Sequence, residues 1–462
     1  MSDWADEECG GAELGDARLT RRLVRLTRSL ADQPERSVPQ ACGDWWETKA
    51  AYRLWSHADL TVAQILSGHV QRTVERISRE TCVLVVQDTS QLCYTTHRAT
   101  HGLGGLRRRG QRGMFVHPLL ALSTDGLPLG LLNLAFWTWP QAKSPDSAWQ
   151  RSRKPTSEKV TQCWLDGLDQ AVDQIPAQVH AVLISDRESD LFALFANPRP
   201  AHVDLLVRCR ERRRRVEHPQ RLAELAIQHS CPLGETVVEV SRRDGQHARQ
   251  AKLIVHGVSL LTHPPANPPK GSVWPPIRLQ WIWAYEPSPP PGQKALEWLL
   301  VTTLPIEGLT DAVRVLQWYS LRWRIERWFY VLKQGCRVEQ LALETAARLQ
   351  LAIATYAIAA WRVLWLTLAA QKRPTLSCET ALSADEWQAL DCYVHRTATP
   401  RRVPFTVGEA VRLLGQLGGR RQSAQTKPPG VNTLWTALER LHDITAMYVR
   451  LTRPPPNFMG NA

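Results

Sequence analysis

Hydrophobic positions along this chain change period several times, and each change marks an element. After Asp16, a side chain suited to cap a helix, Leu19, Leu23, Leu26 and Leu30 follow helical spacing. Asp44-Trp45-Trp46-Glu47 and Thr61-Val62-Ala63-Gln64 have the capping-box spacing that opens two more helices. The period then shortens. Thr81 to Val86 (TCVLVV) and His180 to Ile184 (HAVLI) are short β-branched apolar runs that predict buried strands, and they run into Asp88 and Asp186. Between them, HPLLALS and PLGLLNLAF flank Thr124-Asp125-Gly126, a hairpin signal. From about residue 200 to 305, DLLVRCR, ETVVEVSRR, AKLIVHGVSLL, IRLQWIWAYE and EWLLVTTLP read as strands, and the prolines between Pro264 and Pro291 suit loops and sheet edges. From about Arg373 the pattern is helical again: Ser383 to Glu386 and Thr406 to Glu409 are capping boxes, and KPPGVNTLWTALERL starts a final helix.

The most informative stretch is Tyr319 to Val338, YSLRWRIERWFYVLKQGCRV. Wound as one helix, Tyr319, Arg322, Glu326 and Lys333 fall within about 60° of one another. Val315, Trp318, Leu321, Ile325, Trp328, Phe329 and Leu332 take the neighbouring arc, the buried side of a half-exposed helix. A carboxylate in a row with a phenol and two cations suits a substrate carrying phosphates and a metal ion. Periodicity alone also accommodates a solvated face with ordinary i,i+4 pairing. Likewise, a lone aspartate at a strand end is often only a turn former or helix cap.

The spacing Tyr-x2-Arg-x3-Glu-x6-Lys resembles the signature of DDE transposases of the insertion-sequence-four group, the cut-and-paste enzymes of bacterial insertion sequences. That resemblance orders the acids as Asp88, Asp186 and Glu326, and it selects Asp186 over Glu188 and Asp190 as the first acid of the Asp-Arg-Glu-x-Asp run. It implies an α/β fold: an RNase H-like catalytic core with a β-rich insertion, flanked by helical N- and C-terminal domains. The expected partition is residues 1–72 for DNA-end binding, 73–372 for catalysis with the insertion at about 200–305, and 373–462 for dimerisation. It further implies two Mg2+ ions, replaceable by Mn2+, on Asp88, Asp186 and Glu326, with Asp88 bridging. Tyr319, Arg322 and Lys333 would grip phosphates, and Trp298 would stack a base flipped from the duplex; in its apolar strand Trp298 also reads as core. The implied reaction is nicking by water, hairpin formation by the freed 3′-hydroxyl, reopening by water and strand transfer to target DNA. Departures are modest: Gln87 where relatives often carry an acid, and Arg327-Trp328 after the glutamate.

Composition narrows the partners. Lys plus Arg number 57 against 44 Asp plus Glu, a formal +13, with a pI near 9.5. The excess gathers at Leu106 to Arg112, Arg208 to Arg215 and Gly418 to Arg421, as phosphate contacts or solvated turns. With that charge a nucleic acid is the expected partner, and the resemblance implies double-stranded DNA, as element ends and as target, with a homodimer in the synaptic complex. Phosphate contacts carry no sequence information, so discrimination of ends falls to the N-terminal segment. From Trp4 through LGDARLTRRL to AAYRLW, that segment resembles the family's end-binding domain, or else is a small helical cap. The Gly/Arg-rich run His101 to Gly113 is expected to be a mobile loop over DNA. Leu349 to Ala370 is long enough to span a bilayer, but Arg362 at its middle is costly there, so a buried helix and no membrane partner are expected. Ten cysteines without Cys-x-x-Cys or Cys/His metal spacing fit a reducing cytoplasm, and the resemblance implies a bacterial, nucleoid-associated protein. Two other readings remain: an inactive or domesticated DNA-binding derivative, which would tolerate loss of an acid or of the N-terminal domain, and a general RNase H-like nuclease, which would need the acids but neither the Tyr-Arg-Glu-Lys row nor the N-terminal helices.

Overall fold

The structure, a computed structural model, describes residues 4–139, 154–240, 249–419 and 428–453. In chain order these form α1 (Trp4–Cys9), α2 (Ala17–Asp32), α3 (Val38–Cys42), α4 (Trp45–Trp55), α5 (Val62–Ile77), β1 (Cys82–Gln87), β2 (Ser90–Cys93), β3 (Gly104–Gly105), β4 (Arg112–Ser123) and β5 (Pro128–Trp137). Next come α6 (Gln162–Gln174), β6 (His180–Ser185), α7 (Phe192–Ala196), β7 (Val203–Arg208), α8 (Ala223–Gln228), β8 (Pro232–Val240), β9 (Arg249–Thr262), β10 (Ile277–Tyr285) and β11 (Glu297–Thr302). The remaining elements are α9 (Leu309–Ser320), α10 (Trp323–Tyr330), α11 (Ala346–Lys372), α12 (Ala384–His395), α13 (Val407–Leu417) and α14 (Val431–Thr452). They divide into two compact units, one of residues 77–88 and 142–323, the other of 1–76, 89–141 and 324–462.

The first unit is built on a large mixed sheet. β1, β6 and β7 lie side by side and parallel, and β11, β10, β9 and β8 continue outward from β7 as antiparallel neighbours. The runs CVLVVQ and HAVLIS are buried almost throughout, as strands covered on both faces must be. The five strands expected between about 200 and 305 therefore extend the sheet that carries Asp88 and Asp186, and β7 pairs directly with β6. α8 packs on β9 and β10, and α9 on β8 and β9.

In the second unit β4 pairs antiparallel with β2, β3 and β5. The run His101 to Gly113 is paired at both ends: Gly104 and Gly105 pair with Gly113 and Arg112, and His101 exchanges backbone hydrogen bonds with Glu344 and Ala346. Gly130 in β5 has φ +150°, and a Cβ there would stand 1.9 Å from Thr73 Oγ1, so only glycine lets α5 approach this strand. The helical N- and C-terminal regions surround α11. Each cap read from sequence is made: Asp16, Asp44, Thr61, Ser383 and Thr406 accept backbone N–H groups.

α11 is long and apolar enough to cross a membrane, yet 94% of its most apolar window is buried inside the protein. Three indole N–H groups fasten it. Trp55 donates to Thr355 Oγ1 at 3.2 Å, Trp328 to the Ala357 carbonyl at 3.3 Å, and Trp361 itself to the Pro128 carbonyl at 3.1 Å. Arg362, 2% exposed, meets Asp32 of α2 at 3.0 Å, the Ala381 carbonyl at 2.9 Å and Glu386 of α12 at 3.6 Å, under the Trp4 ring. A second buried cluster ties α1 to α5 and β5. The Leu131 N–H donates to His69 Nε2, which leaves His69 Nδ1 to donate to Glu8; Arg76 bonds Glu8 and the Leu129 carbonyl. Burial alone would raise the Glu8 carboxyl, but the His69 and Arg76 interactions outweigh it and hold the group at about 2.

Two outcomes follow for stability. Arg362→Ala leaves two carboxylates buried without their cation and is expected to cost about 3–5 kcal/mol in urea unfolding, with much of it recovered when Asp32→Asn and Glu386→Gln are added. Because the folded value of Glu8 lies below its ordinary one, its stabilisation is complete above pH of about 4.5 and fades as pH falls toward about 2. The urea midpoint of Glu8→Gln should accordingly lie below that of the parent near neutrality and converge on it across that window.

Candidate active site

Parallel strands end together, and that places the first two acids. Val86 of β1 is in register with Ile184 of β6, so Asp88 and Asp186, each two residues further and each just past its strand, leave the sheet side by side. This is the C-terminal rim of the parallel strands, where open α/β sheets present ligand-binding groups. Both side chains are half-buried. Asp186 caps the 3-10 turn Arg187–Ser189, one carboxylate oxygen accepting the Glu188 N–H at 2.8 Å. Asp88 accepts from Arg322 Nη1 at 3.0 Å, in a pair with 17% and 8% of the side chains exposed.

One further residue joins this rim. Ser185 pairs with Val207, so Arg208, at the end of β7, comes next to Asp186. Its position at the end of the run DLLVR was the available sequence signal. Tyr319 is 1% exposed, and its phenol oxygen faces the guanidinium groups of Arg208 and Arg322. Burial raises the Tyr319 phenol, with the guanidinium groups of Arg322 and Arg208 opposing and Asp186 reinforcing the rise. A buried phenol facing two guanidinium groups, beside Asp186, makes a polar, cation-rich corner of the rim that suits an anionic oxygen. Trp298 is buried, its ring set edge-on to Tyr319 at 5.8 Å. It occupies a packing position here, and stacking on a base would require that contact to open.

The single helix expected over Tyr319 to Val338 is broken. α9 ends at Ser320, Leu321 and Arg322 form a turn, α10 runs from Trp323 to Tyr330, and Val331–Gly335 is a π-helical turn closed by Cys336 N–H to the Val331 carbonyl. Tyr319 and Arg322 are consequently buried, not aligned on a half-exposed face. A Cβ on Gly335 would stand 2.7 Å from the Trp435 ring, so glycine lets this turn seat against α14. Lys333 lies in the π turn, donating to Ser90 Oγ at 2.7 Å and the Gln91 carbonyl at 2.6 Å, and burial lowers its pKa. Glu326 stands in the first turn of α10, in the second compact unit, half-buried.

The arginine run 208–215 is less available than its composition suggests. Arg212 bonds Glu297 and Glu224, Arg214 is buried on Asp190, and Arg215 donates to the Pro264 carbonyl. Asp190, a competitor of Asp186 by position, also accepts the Arg210 and Glu211 N–H groups at 2.6 and 2.8 Å, so it serves as a structural anchor. Arg107, Arg108 and Arg109 are exposed, whereas Arg420 and Arg421 lie outside the described residues. No group of three or more His, Cys, Asp or Glu side chains able to hold a metal ion occurs among the described residues. The donors that Asp88, Asp186 and Glu326 offer are all carboxylate oxygens, which suit a hard divalent cation, and the Arg322 guanidinium supplies positive charge against one of them.

Comparison with known families gives two matches. Residues 1–60 match the family described as Transposase DNA-binding, and residues 165–362 match the one described as Transposase DDE domain. The second span includes Asp186, Trp298, Tyr319, Arg322, Glu326 and Lys333; Asp88 precedes it. The DDE domain brings an RNase H-like fold and an enzyme activity of DNA cleavage and strand transfer, of a class generally dependent on a divalent metal. The N-terminal match makes DNA the partner.

Tyr319→Phe removes a buried hydroxyl that faces the Arg208 and Arg322 guanidinium groups, so it is expected to lower the stability of the DNA-free protein by about 1–3 kcal/mol and to weaken DNA binding. Paired urea titrations and binding isotherms check both signs.

Proposed function

We propose, on the premise that this chain is a DDE transposase with a transposase DNA-binding domain at its N-terminus, that it binds the terminal inverted repeats of its own element, excises the element through a hairpin intermediate and inserts it into target DNA. The observation that carries this reading is the rim of the parallel strands, with Asp88 and Asp186 side by side and Arg322 against Asp88. The YREK spacing favours the insertion-sequence-four group. The partition into end-binding residues 1–72, catalytic residues 73–372 and dimerising residues 373–462 belongs to the same proposal.

Asp88, Asp186 and Glu326 are the ligands in this reading, and Mg2+ the ion, with Mn2+ as a substitute. When bound there, the ions would supply an activated nucleophile and charge stabilisation at the leaving oxygen. The protein's own groups hold and orient the strand. The Tyr319 hydroxyl and the Arg208 guanidinium can turn to phosphate oxygens, and Arg322 can exchange Asp88 for a phosphate. Lys333 adds a cation from the π turn. Trp298, once away from Tyr319, offers a ring on which a flipped base gains about 1–3 kcal/mol. Water makes the first nick, the 3′-hydroxyl released attacks the opposite strand, water reopens the hairpin, and the same hydroxyl attacks the target. Joining two ends calls for two active sites and hence a homodimer in the synaptic complex.

Purified protein, duplexes carrying the sequences that flank its gene, and Mg2+ provide the test. Nicked, hairpinned and strand-transferred products are expected from the parent, and a loss of at least about a hundredfold from Asp88→Ala, Asp186→Ala and Glu326→Ala, in line with removal of a transition-state group. End binding without cleavage would instead indicate an inactive DNA-binding derivative, and cleavage indifferent to end sequence a general nuclease.

A further inference from the structure

Helices in water normally turn their aromatic residues inward, and α4 does so only in part. Leu54 and Trp55 are buried and anchor it, yet Trp45 and Trp46 at its start are 60% and 74% exposed, the most exposed aromatic side chains among the described residues. The Asp44 cap holds the first turn, and the two rings meet edge-to-face at 4.7 Å with Lys49 Nζ 4.4 Å above Trp45. Trp45, Lys49, Tyr52 and Arg53 share one helix face, and Tyr52 is exposed as well. The anchoring of α4 does not require these rings to face water, and large exposed aromatic surface marks a contact site.

Charge selects the partner. α2, which packs beside α4, exposes Arg18, Arg21 and Arg25 at i, i+3 and i+7, and Arg25 reaches Glu47 of α4 at 3.4 Å. The acids on these outer faces are two helix caps, Asp16 and Asp44, and the paired Glu47. An apolar pair bordered by cations fits a polyanion with apolar features between its charges, which describes a duplex: phosphates on the strands, sugar and base edges, including thymine methyls, in the groove.

We propose that Trp45 and Trp46 enter a groove of the element-end duplex and read it by apolar contact, while Arg18, Arg21, Lys49 and Arg53 hold the flanking phosphates. The inference rests on the end-binding reading above and adds the element and side chains that discriminate ends. Apolar groove contacts and phosphate contacts differ in one measurable respect: only the latter release counterions, at a slope of roughly 0.9 per phosphate in log K against log salt.

The test uses the full-length chain and anisotropy titrations over a range of salt, with one duplex carrying the terminal sequence and another of equal length with that sequence scrambled. For the double variant Trp45→Ala/Trp46→Ala, terminal-duplex affinity should fall roughly tenfold or more, scrambled-duplex affinity should stay level, and the salt slope should not change. Trp45→Phe/Trp46→Phe should keep most of the discrimination, and Arg18→Ala/Arg21→Ala should weaken both duplexes and lower the slope by about two. Circular dichroism melts confirm that each variant is folded. Equal loss on both duplexes, no loss on either, or a change confined to self-association in sedimentation would overturn the assignment, the last marking a protein interface. If the parent itself binds both duplexes alike, the end-binding reading fails, and this inference with it.

Discussion

One buried cation organises the helical half of this protein. Arg362 sits in the interior of α11, where an uncompensated guanidinium would be very costly, and its partners come from α1, α2, the segment before α12, and α12 itself. Asp32 is 330 residues away in sequence. Such a group tolerates little rotation, because each partner must be reached at once. It therefore sets which side of α11 faces which neighbour. With that rotation set, Thr355 meets Trp55, Trp361 meets β5, and Ala357 meets Trp328 of α10, the helix that also carries Glu326. The helix that carries Glu326 thus packs on a helix whose rotation a buried charge cluster sets.

The acids near the sheet rim differ in what holds them. Asp190 takes two backbone N–H groups and the Arg214 guanidinium and anchors the segment that follows β7. Asp186 caps its own 3-10 turn, and Asp88 pairs with Arg322. Beside them the Tyr319 phenol is buried against the Arg208 and Arg322 guanidinium groups. The broken helix and the π turn are irregular backbone that places Arg322 and Lys333 where a regular helix would not.

What the sequence determined by itself is local. Helix starts were legible at Asp16, Asp44, Thr61, Ser383 and Thr406 because a cap is settled within three or four residues. The strands before Asp88 and Asp186 were legible because burial on both faces demands unbroken apolar runs. The same locality placed both acids at strand ends. Only the tertiary structure decided the rest. No proline or glycine marks the turn at Leu321 and Arg322, where Arg322 meets Asp88 from 234 residues away. Arg214 reads like its neighbours in an arginine run until folding brings Asp190 beneath it, and the exposure of Trp46 against the burial of Trp298 has no signature in residue type. Caps and periodicity act over one or two turns of chain, whereas ion pairs, close approaches and exposure depend on which distant segment arrives, and that is fixed only when the whole chain has packed.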